Sequence, residues 1–226
     1  MIRFFSLLPR RDGVTSQRFH DHWRHPHGTM GRVIPGLNSY VQAHQVHTDL
    51  LAPEQSEYEG VAISDFDSPA AATGLLTEPQ YVDHVAPDEP SFQDLSRVRF
   101  LSTDEEVLQP RLAAGPHEAD AQWNVLERPT SIQLLQFVHR DGDAAWATDD
   151  DDGLARAIGT FRHARNRPNA TVHGDDPPFI GARQLWWPTV SAFEDGVAAA
   201  PEAFRRLVGQ DGHAITMLTQ SERFLR

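Results

Sequence analysis

The sequence predicts an α+β fold in which two similar halves place their antiparallel sheets face to face and close them into an α/β barrel. The first observation is an internal repeat: IRFFSLLPR at residues 2–10 aligns with IQLLQFVHR at residues 132–140, and VRFLSTDEEVL from Val98 aligns with ITMLTQSERFL from Ile215. The second is that IRFFSLLP is largely apolar on both alternating faces, which an antiparallel strand needs only when both faces of its sheet are covered. Because helices can cover only one face, we expect the sheet of the second half to cover the other.

The elements of the first half are predicted in the order βαββαβ. After the first strand comes a helix with Phe19 and Trp23 on its apolar face. Pro26 is expected to end or kink this helix near His25, because proline removes a backbone donor. The remaining elements are a strand from Leu37 (LNSYVQAHQVH), a strand from Tyr58 (YEGVAISDF), a second helix from Ser68 that breaks at Pro79, and a strand from Arg97 (RVRFLST). This order is that of the ferredoxin-like unit.

The repeat also divides the chain into domains. We expect residues 1–110 to form a first ferredoxin-like domain, residues 111–129 to be a linker, and residues 130–226 to form a second ferredoxin-like domain. The expected elements of the second domain after its first strand are the helix DDDDGLARAIGTFRHAR, the strand ARQLWW, the helix SAFEDGVAAAPEAFRRLVG and the strand HAITMLT.

Composition narrows the chemistry and the partners that are available to the chain. The formal net charge of −12 disfavours nucleic acid and anionic membranes, because both require a basic surface, and we expect a small-molecule partner instead. There is no cysteine and all 20 basic residues are arginine, which excludes thiolate nucleophiles and lysine Schiff bases. No apolar run approaches the roughly 18 residues of a membrane span, so we expect a cytoplasmic protein.

The strand from Leu37 carries most of the candidate site. Its alternation places Leu37, Ser39, Val41 and Ala43 on one face and Asn38, Tyr40, Gln42, His44 and Val46 on the other. We expect the small apolar set to pack under helices and the polar set to point into the barrel, where a hydroxyl, an amide and an imidazole would lie together. The alternative is that this face is open and its polar side chains meet solvent.

Four histidines, His20, His22, His25 and His27, stand close together in the sequence. His22 and His25 have the spacing of a helical metal pair, but Pro26 disrupts the turn that carries His25. We therefore expect no metal site, and we expect His20, His22 and His25 to be surface or rim residues. His27 lies just beyond the break, and it is the histidine that we expect could contact His44 of the following strand.

The segment FHDHWRHPHGTMGRVIPGLNSYVQAHQV from Phe19 resembles the signature of the EthD family of dimeric α/β-barrel proteins. The shared pattern is Phe, then Trp-Arg-x-x-His, Ile-Pro-Gly-Leu and Tyr-Val-Gln-x-His, and the resemblance continues more loosely to Leu108, with Phe92 and Asp94 before the last strand. It implies a ferredoxin-like fold whose subunits pair through their sheets. It places the family's helix histidine on His27 and the family's strand residues on Tyr40, Gln42 and His44.

The resemblance also has departures and functional implications. The family usually has a proline after the helix histidine, whereas here Pro26 precedes it, and the second half lacks the Trp-Arg-x-x-His motif and is expected to be a degenerate copy. The family implies cofactor-free chemistry or binding of small molecules. Some of its members resemble dehydratases or cyclases of aromatic polyketides, and its founding members accompany ether degradation.

The leading hypothesis is a cofactor-free lyase or cyclase, dehydratase-like, that acts on a small aromatic or polyketide-like carbonyl compound in the barrel pocket. In it, His44 or His27 takes a proton from a carbon acidified by a carbonyl, and Tyr40 or Gln42 hydrogen-bonds the developing enolate. Trp23 and Asn38 are further candidates for substrate contact. The alternatives are a non-catalytic binding or carrier protein and a haem- or oxygen-using monooxygenase of the same architecture. Self-association is expected either inside one chain, between its halves, or in a homodimer.

Overall fold

Eight antiparallel strands close into a barrel in the computed structural model, which describes residues 1–52, 55, 57–109, 130–143, 146–209 and 212–225. The strands are β1 (Ile2–Leu8), β2 (Ser39–Val46), β3 (Gly60–Phe66), β4 (Arg99–Gln109), β5 (Thr130–His139), β6 (Arg162–Pro168), β7 (Phe179–Trp187) and β8 (Ala214–Leu225). The prediction of a mixed α/β fold built on a closed antiparallel barrel is confirmed. The expected linker at residues 111–129 lies outside the described residues.

The order of the strands around the barrel is β1-β3-β2-β8-β5-β7-β6-β4. Each half therefore contributes four adjacent strands, in which the fourth, first, third and second strands of the half lie side by side. The halves meet at two seams, where β2 pairs with β8 and β4 pairs with β6. Both seams are antiparallel, so the hydrogen-bonded ladder continues around the barrel without an edge between the halves.

Apolar side chains from both halves pack together inside the barrel. Phe5 of β1 meets Phe137 of β5 edge-on with ring centroids 5.4 Å apart, and both side chains are fully buried. Ala43 and Val41 of β2 pack into the same cluster. The prediction that Tyr40, Gln42 and His44 point into a barrel pocket is therefore wrong, because alternation sends these side chains to the opposite face. An eight-stranded barrel is just wide enough for its own side chains, and the small residues of β2 suit that space.

Helical segments cover the outer face of the sheet. The first half contains α1 (Ser16–His22), a π-helical turn (Trp23–His27), α2 (Gly28–Gly31), α3 (Pro69–Gly74), a second π-helical turn (Tyr81–Val85) and short 3₁₀ turns at Leu75–Thr77 and Glu89–Ser91. The second half contains α4 (Asp151–Ala157), α5 (Ala170–His173), α6 (Val190–Ala199) and α7 (Pro201–Val208). Among the described residues, no helix has the length and apolar character to cross a membrane.

The predicted break near Pro26 is confirmed. His25 has extended backbone angles (φ −144°, ψ 122°) between two helical stretches, and the His25–Pro26 peptide bond is cis. The second helix is also interrupted beside Pro79, as predicted, because α3 and its 3₁₀ turn end at Thr77, Glu78 is extended, and helical structure resumes at Pro79. The break at His25 changes the course of the chain between Trp23 and His27, and both of these residues are buried against the sheet.

Candidate functional site

A cavity of about 270 Å³ lies between the outer face of the first-half sheet and the segments that cover it. Its apolar lining consists of Leu8, Ala62, Leu95, Val98 and Phe100. Its polar lining consists of Ser6, Trp23, His27, Glu89 and Gln93. This mixture of an apolar wall and a few polar groups is typical of sites that bind small molecules. We call it the first-half cavity.

Small residues on the sheet make room for this cavity. Ser6 of β1 lies opposite Ala62 of β3 in the ladder, and both line the cavity. At the aligned position of the second half the pair is Gln136 and Arg183. The Arg183 side chain is buried there, donating to Asp151 Oδ2 of α4 at 2.7 Å and to Gln136 Oε1 at 3.1 Å. The sheet position that leaves space in the first half thus carries a large side chain in the second.

His27 is held at the cavity by a carboxylate. Its Nδ1 lies 2.9 Å from Asp88 Oδ2, and Asp88 also bonds His22 Nε2 at 2.8 Å. Burial alone would raise the pKa of Asp88, but the hydrogen bonds from His27 and His22 outweigh it and hold the pKa below its usual value. A carboxylate that accepts from Nδ1–H fixes the tautomer with a lone pair on Nε2. The hydrogen bond to Asp88 uses Nδ1 and leaves His27 Nε2 outside this contact.

Glu89 is a second titratable group at the cavity. The Tyr81 hydroxyl lies 3.2 Å from Glu89 Oε1 and 3.4 Å from Oε2, and it donates to this carboxyl group. Burial raises the pKa of Glu89 to about 7, a rise that the Tyr81 hydrogen bond opposes and the neighbouring Asp88 charge increases. Burial and the Glu89 charge likewise raise the pKa of Tyr81 above its usual value. Near neutral pH, Glu89 can therefore either give or take a proton.

Two buried polar atoms of lining residues have no partner in the described part of the chain. They are the indole nitrogen Nε1 of Trp23 and the amide oxygen Oε1 of Gln93. Trp23 is fully buried and Gln93 is 4 % exposed, so water does not readily satisfy them. Leaving such atoms unpaired costs on the order of 1–3 kcal/mol each. A ligand with one hydrogen-bond acceptor and one donor could satisfy both.

The strand residues predicted for the site lie beneath the first π-helical turn. Gln42 Nε2 donates to the Trp23 carbonyl oxygen at 2.7 Å and to the Tyr40 hydroxyl at 2.9 Å, and Gln42 Oε1 is 3.1 Å from His44 Nε2. The His44 ring packs 4.4 Å from the Trp23 ring. None of Tyr40, Gln42 and His44 is among the cavity-lining residues. Their contacts hold Trp23 in place.

His44 is poorly placed to act as a base. Burial, followed by the nearby charges of Arg24 and His20, lowers the pKa of His44 to about 2. Its Nδ1 is already occupied by His20 Nδ1 at 2.8 Å. Burial also raises the pKa of Tyr40 to about 12. Asn38, predicted as a substrate contact, is exposed and donates to Asp67 Oδ1 at 2.7 Å.

The four clustered histidines separate into different environments. His20 bonds His44, His22 bonds Asp88, His25 is exposed and lies 3.0 Å from Thr29 Oγ1, and His27 lines the cavity. Within the described ranges, no group of three or more His, Asp, Glu or Cys side chains is arranged to hold a metal ion.

Sequence reasoning missed Asp88, Glu89 and Gln93. They lie in an irregular stretch between the second π-helical turn and β4, where neither helical nor strand periodicity marks a face. The signal that came nearest was the resemblance, which placed Phe92 and Asp94 before the last strand. Phe92 is buried, and its ring lies 5.0 Å from the ring of His27.

Comparisons with known proteins give a match to one domain family over part of the chain and a likeness of fold to solved structures. Residues 11–96 match the family model of the EthD domain. A comparison with curated protein sequences finds no match. An anthrone oxidase-like protein of known structure is 13% identical, with 99% of this chain and 93% of that chain covered and a TM-score of 0.63. A candidate monooxygenase from Fusobacterium nucleatum is 9% identical, with 99% and 91% covered and a TM-score of 0.50. A candidate monooxygenase from Lactobacillus acidophilus is 11% identical, with 99% and 93% covered and a TM-score of 0.48.

These comparisons correct the expected reaction class. At such low identities the likeness of the structures shows the fold alone. The names of the two similar proteins with TM-scores of 0.63 and 0.50 are nevertheless those of oxidative enzymes, and neither is a lyase or a cyclase. The expectation of a cofactor-free lyase or cyclase is therefore wrong, and the monooxygenase alternative is better supported.

Proposed function

We propose, from the match of residues 11–96 to the EthD domain model, that the protein is a monooxygenase-type enzyme that uses dioxygen to oxidise a small aromatic ketone in the first-half cavity. The observation that carries the proposal is the pairing of His27 with Asp88 at the wall of a cavity whose other polar atoms include an unpaired donor and an unpaired acceptor. A histidine oriented by a carboxylate is a common form of general base.

The substrate class follows from the chemistry of the lining. Anthrone, named in the protein with the TM-score of 0.63, is an aromatic ketone whose ring methylene is acidified by conjugation with the carbonyl. An apolar wall formed by Leu8, Val98 and Phe100 suits such a ring system. The volume of about 270 Å³ is slightly below the range of about 300–1,000 Å³ for drug-sized ligands, so the site suits a compact molecule.

Each polar residue has a role in this reaction. His27 Nε2 takes a proton from the methylene while Asp88 stabilises the imidazolium that forms. The Trp23 indole N–H hydrogen-bonds the carbonyl oxygen as it gains negative charge, and Gln93 Oε1 accepts from a ring hydroxyl. Tyr40, Gln42 and His44 are positioning residues that hold Trp23. The resulting carbanion reacts with dioxygen, and the net change, CH₂ + O₂ → C=O + H₂O, needs no external reductant.

A haem does not fit the first-half cavity. His27 has a nitrogen that could serve as an axial ligand. However, a cavity of about 270 Å³ is smaller than those that hold drug-sized ligands, and a haem is larger than such ligands. The proposed chemistry therefore uses side chains of this chain and dioxygen.

We also propose that the two halves are duplicated ferredoxin-like units, residues 1–110 and 130–226, with the active cavity in the first. The same spatial order of strands in both halves supports this, as do the repeats that align β1 with β5 and β4 with β8. Pairing of the halves within one chain would replace the pairing of sheets between two subunits. The large Arg183 side chain supports the interpretation of the second half as a degenerate copy.

Oxygen uptake with a hydroxylated anthrone tests the proposed function. His27→Ala should slow uptake by roughly 10²–10⁴-fold, the usual contribution of a general base, and Asp88→Asn should also slow it. The matched control is His25→Ala, which removes an exposed histidine from the same π-helical turn and should leave the rate unchanged. A wild-type protein whose tryptophan fluorescence is quenched by the anthrone without any oxygen uptake would show a binding protein instead.

A further inference from the structure

The proposed oxidation requires proton transfers in both directions. His27 removes a proton from the substrate carbon in the first stage. When dioxygen has added to the carbanion, the His27 imidazolium returns this proton to the peroxide, which gives a substrate hydroperoxide and restores His27 as a base. Water can form from the hydroperoxide only if the leaving oxygen receives a further proton. A group that holds a proton at neutral pH is needed for this second transfer, and a neutral histidine base cannot supply it at the same moment.

Glu89 has the geometry for this second transfer. Its side chain lines the same cavity as His27, and its carboxyl group accepts the Tyr81 hydroxyl hydrogen bond. Asp88 is the preceding residue, and its carboxylate is already hydrogen-bonded to His27 and His22. The chain thus places one carboxylate behind the base and a second carboxyl group at the cavity wall.

Burial and the charge of Asp88 favour the protonated form of Glu89, and the Tyr81 hydrogen bond opposes them. Asp88 adds a like charge from the same turn, and Tyr81 faces Glu89 from the second π-helical turn. The Glu89 charge also acts on the Tyr40 hydroxyl of β2, where it raises the pKa of Tyr40 further. His27 and His22 are held by Asp88. Neither the cavity lining nor the groups that act on Glu89 include a lysine or an arginine.

We propose that Glu89 is a second catalytic residue, the acid that protonates the leaving oxygen of the substrate hydroperoxide. This inference rests on the proposed function. In the step, His27 takes the remaining proton from the substrate carbon, and the electron pair of that C–H bond forms the carbonyl. The O–O bond breaks, and its outer oxygen takes the Glu89 proton and leaves as water. A proton from the His27 imidazolium then returns to Glu89 through solvent, so that both groups regain their starting state.

A single-turnover experiment with enzyme in excess separates the two stages. Oxygen uptake reports the first stage, and absorbance of the new ketone reports the second. In the wild type both signals should rise together. Glu89→Gln keeps the size and the hydrogen bond from Tyr81 but has no proton to give, so ketone formation should slow by roughly 10²-fold, a typical effect of general acid catalysis, while oxygen uptake stays near the wild-type rate. His27→Ala should slow both signals.

A second variant tests the same role through the pH profile. The Tyr81 hydrogen bond lowers the pKa of Glu89, so Tyr81→Phe should move the alkaline limit of ketone formation to higher pH. Asp83→Asn, a change at an exposed residue of the same helical turn, should leave this limit in place. A merely structural Glu89 would not separate ketone formation from oxygen uptake or shift this limit.

The outcomes distinguish the two proposals. If Glu89→Gln forms ketone as fast as it consumes oxygen and keeps the wild-type alkaline limit, the role of Glu89 is refuted while the oxygenase proposal stands. If the wild type consumes no oxygen with any anthrone, the oxygenase proposal fails and the protonation step fails with it.

Discussion

The contact between Gly60 and Trp23 gives a sharp test of how the site is positioned. A methyl group built on Gly60 of β3 would clash with the Ala43 carbonyl oxygen and would lie 2.7 Å from the Trp23 ring carbon Cζ3. Both contacts are closer than 3.0 Å, a separation that real Cβ atoms essentially never show. We therefore expect Gly60→Ala to force either β2 or the Trp23 ring to move.

The cost can be estimated from the kind of contact. Trp23 is fully buried, and its ring is confined by His44 and Phe19 at centroid distances of 4.4 and 5.7 Å. Overpacking of this type typically costs about 1–3 kcal/mol of the free energy of unfolding. For a chain of this size, each kcal/mol corresponds to a fall in Tm of roughly 2–4 °C.

Urea unfolding, monitored by tryptophan fluorescence, measures the loss in the free energy of unfolding. The matched control is Gly74→Ala at the end of α3, where no atom lies within 4 Å of the added methyl group and the backbone is helical. Gly74→Ala should change the free energy of unfolding by no more than about 0.5 kcal/mol. Gly60→Ala should also reduce oxygen uptake, since Trp23 lines the cavity, whereas Gly74→Ala should not. Equal stability of the two variants would refute the close packing of Trp23 on the sheet.

Three further changes test buried charge and polarity by urea unfolding. Burial raises the pKa of Glu89 from 4.5 to about 7, so the stability that Glu89 contributes is present below pH 4.5 and is lost as the pH rises to about 7. Glu89→Gln should remove this pH-dependent loss of stability, and an unchanged pH dependence in the variant would contradict the prediction. His163 is fully buried with both ring nitrogens unpartnered among the described residues, and burial lowers its pKa to about 3. His163→Leu should therefore raise the free energy of unfolding by about 1 kcal/mol at pH 7, and by more as the pH falls below 6.5. A less stable variant at pH 7 and below pH 6.5 would contradict the prediction. Arg183→Met should cost about 3–5 kcal/mol because it leaves the buried Asp151 carboxylate without its closest cation, and the double variant with Asp151→Asn should recover part of that cost.

Much of the barrel was predictable because its signals are local in the sequence. Alternation marked the strands, and the aligned repeats indicated that the second half would supply strands equivalent to those of the first. Pro26 marked the break after Trp23 because a proline in a helix acts on its own turn. The motif residues His27, Trp23 and Gln42 were found for the same reason, since each belongs to one continuous stretch of chain.

The direction of β2 could not be predicted in the same way. Alternation separates Val41 and Ala43 from Tyr40, Gln42 and His44, but it does not say which set faces the barrel interior. That choice depends on the space left by Phe5 and Phe137 of other strands, which meet inside the barrel. The prediction that Tyr40, Gln42 and His44 face the interior was wrong because, among the described residues, side chains fill the interior and leave no pocket for a ligand at this position.

The sequence by itself determined the α/β architecture, the interrupted first helix and the segment that carries His27. Only the tertiary structure decided where the cavity lies and which partners His27 has. Asp88 follows His27 by 61 residues in the chain and Glu89 is the next residue, and both belong to a stretch without periodicity. Such a meeting depends on the packing of the covering segments against Ser6 and Ala62, where small side chains leave room, and no local pattern of residues encodes it.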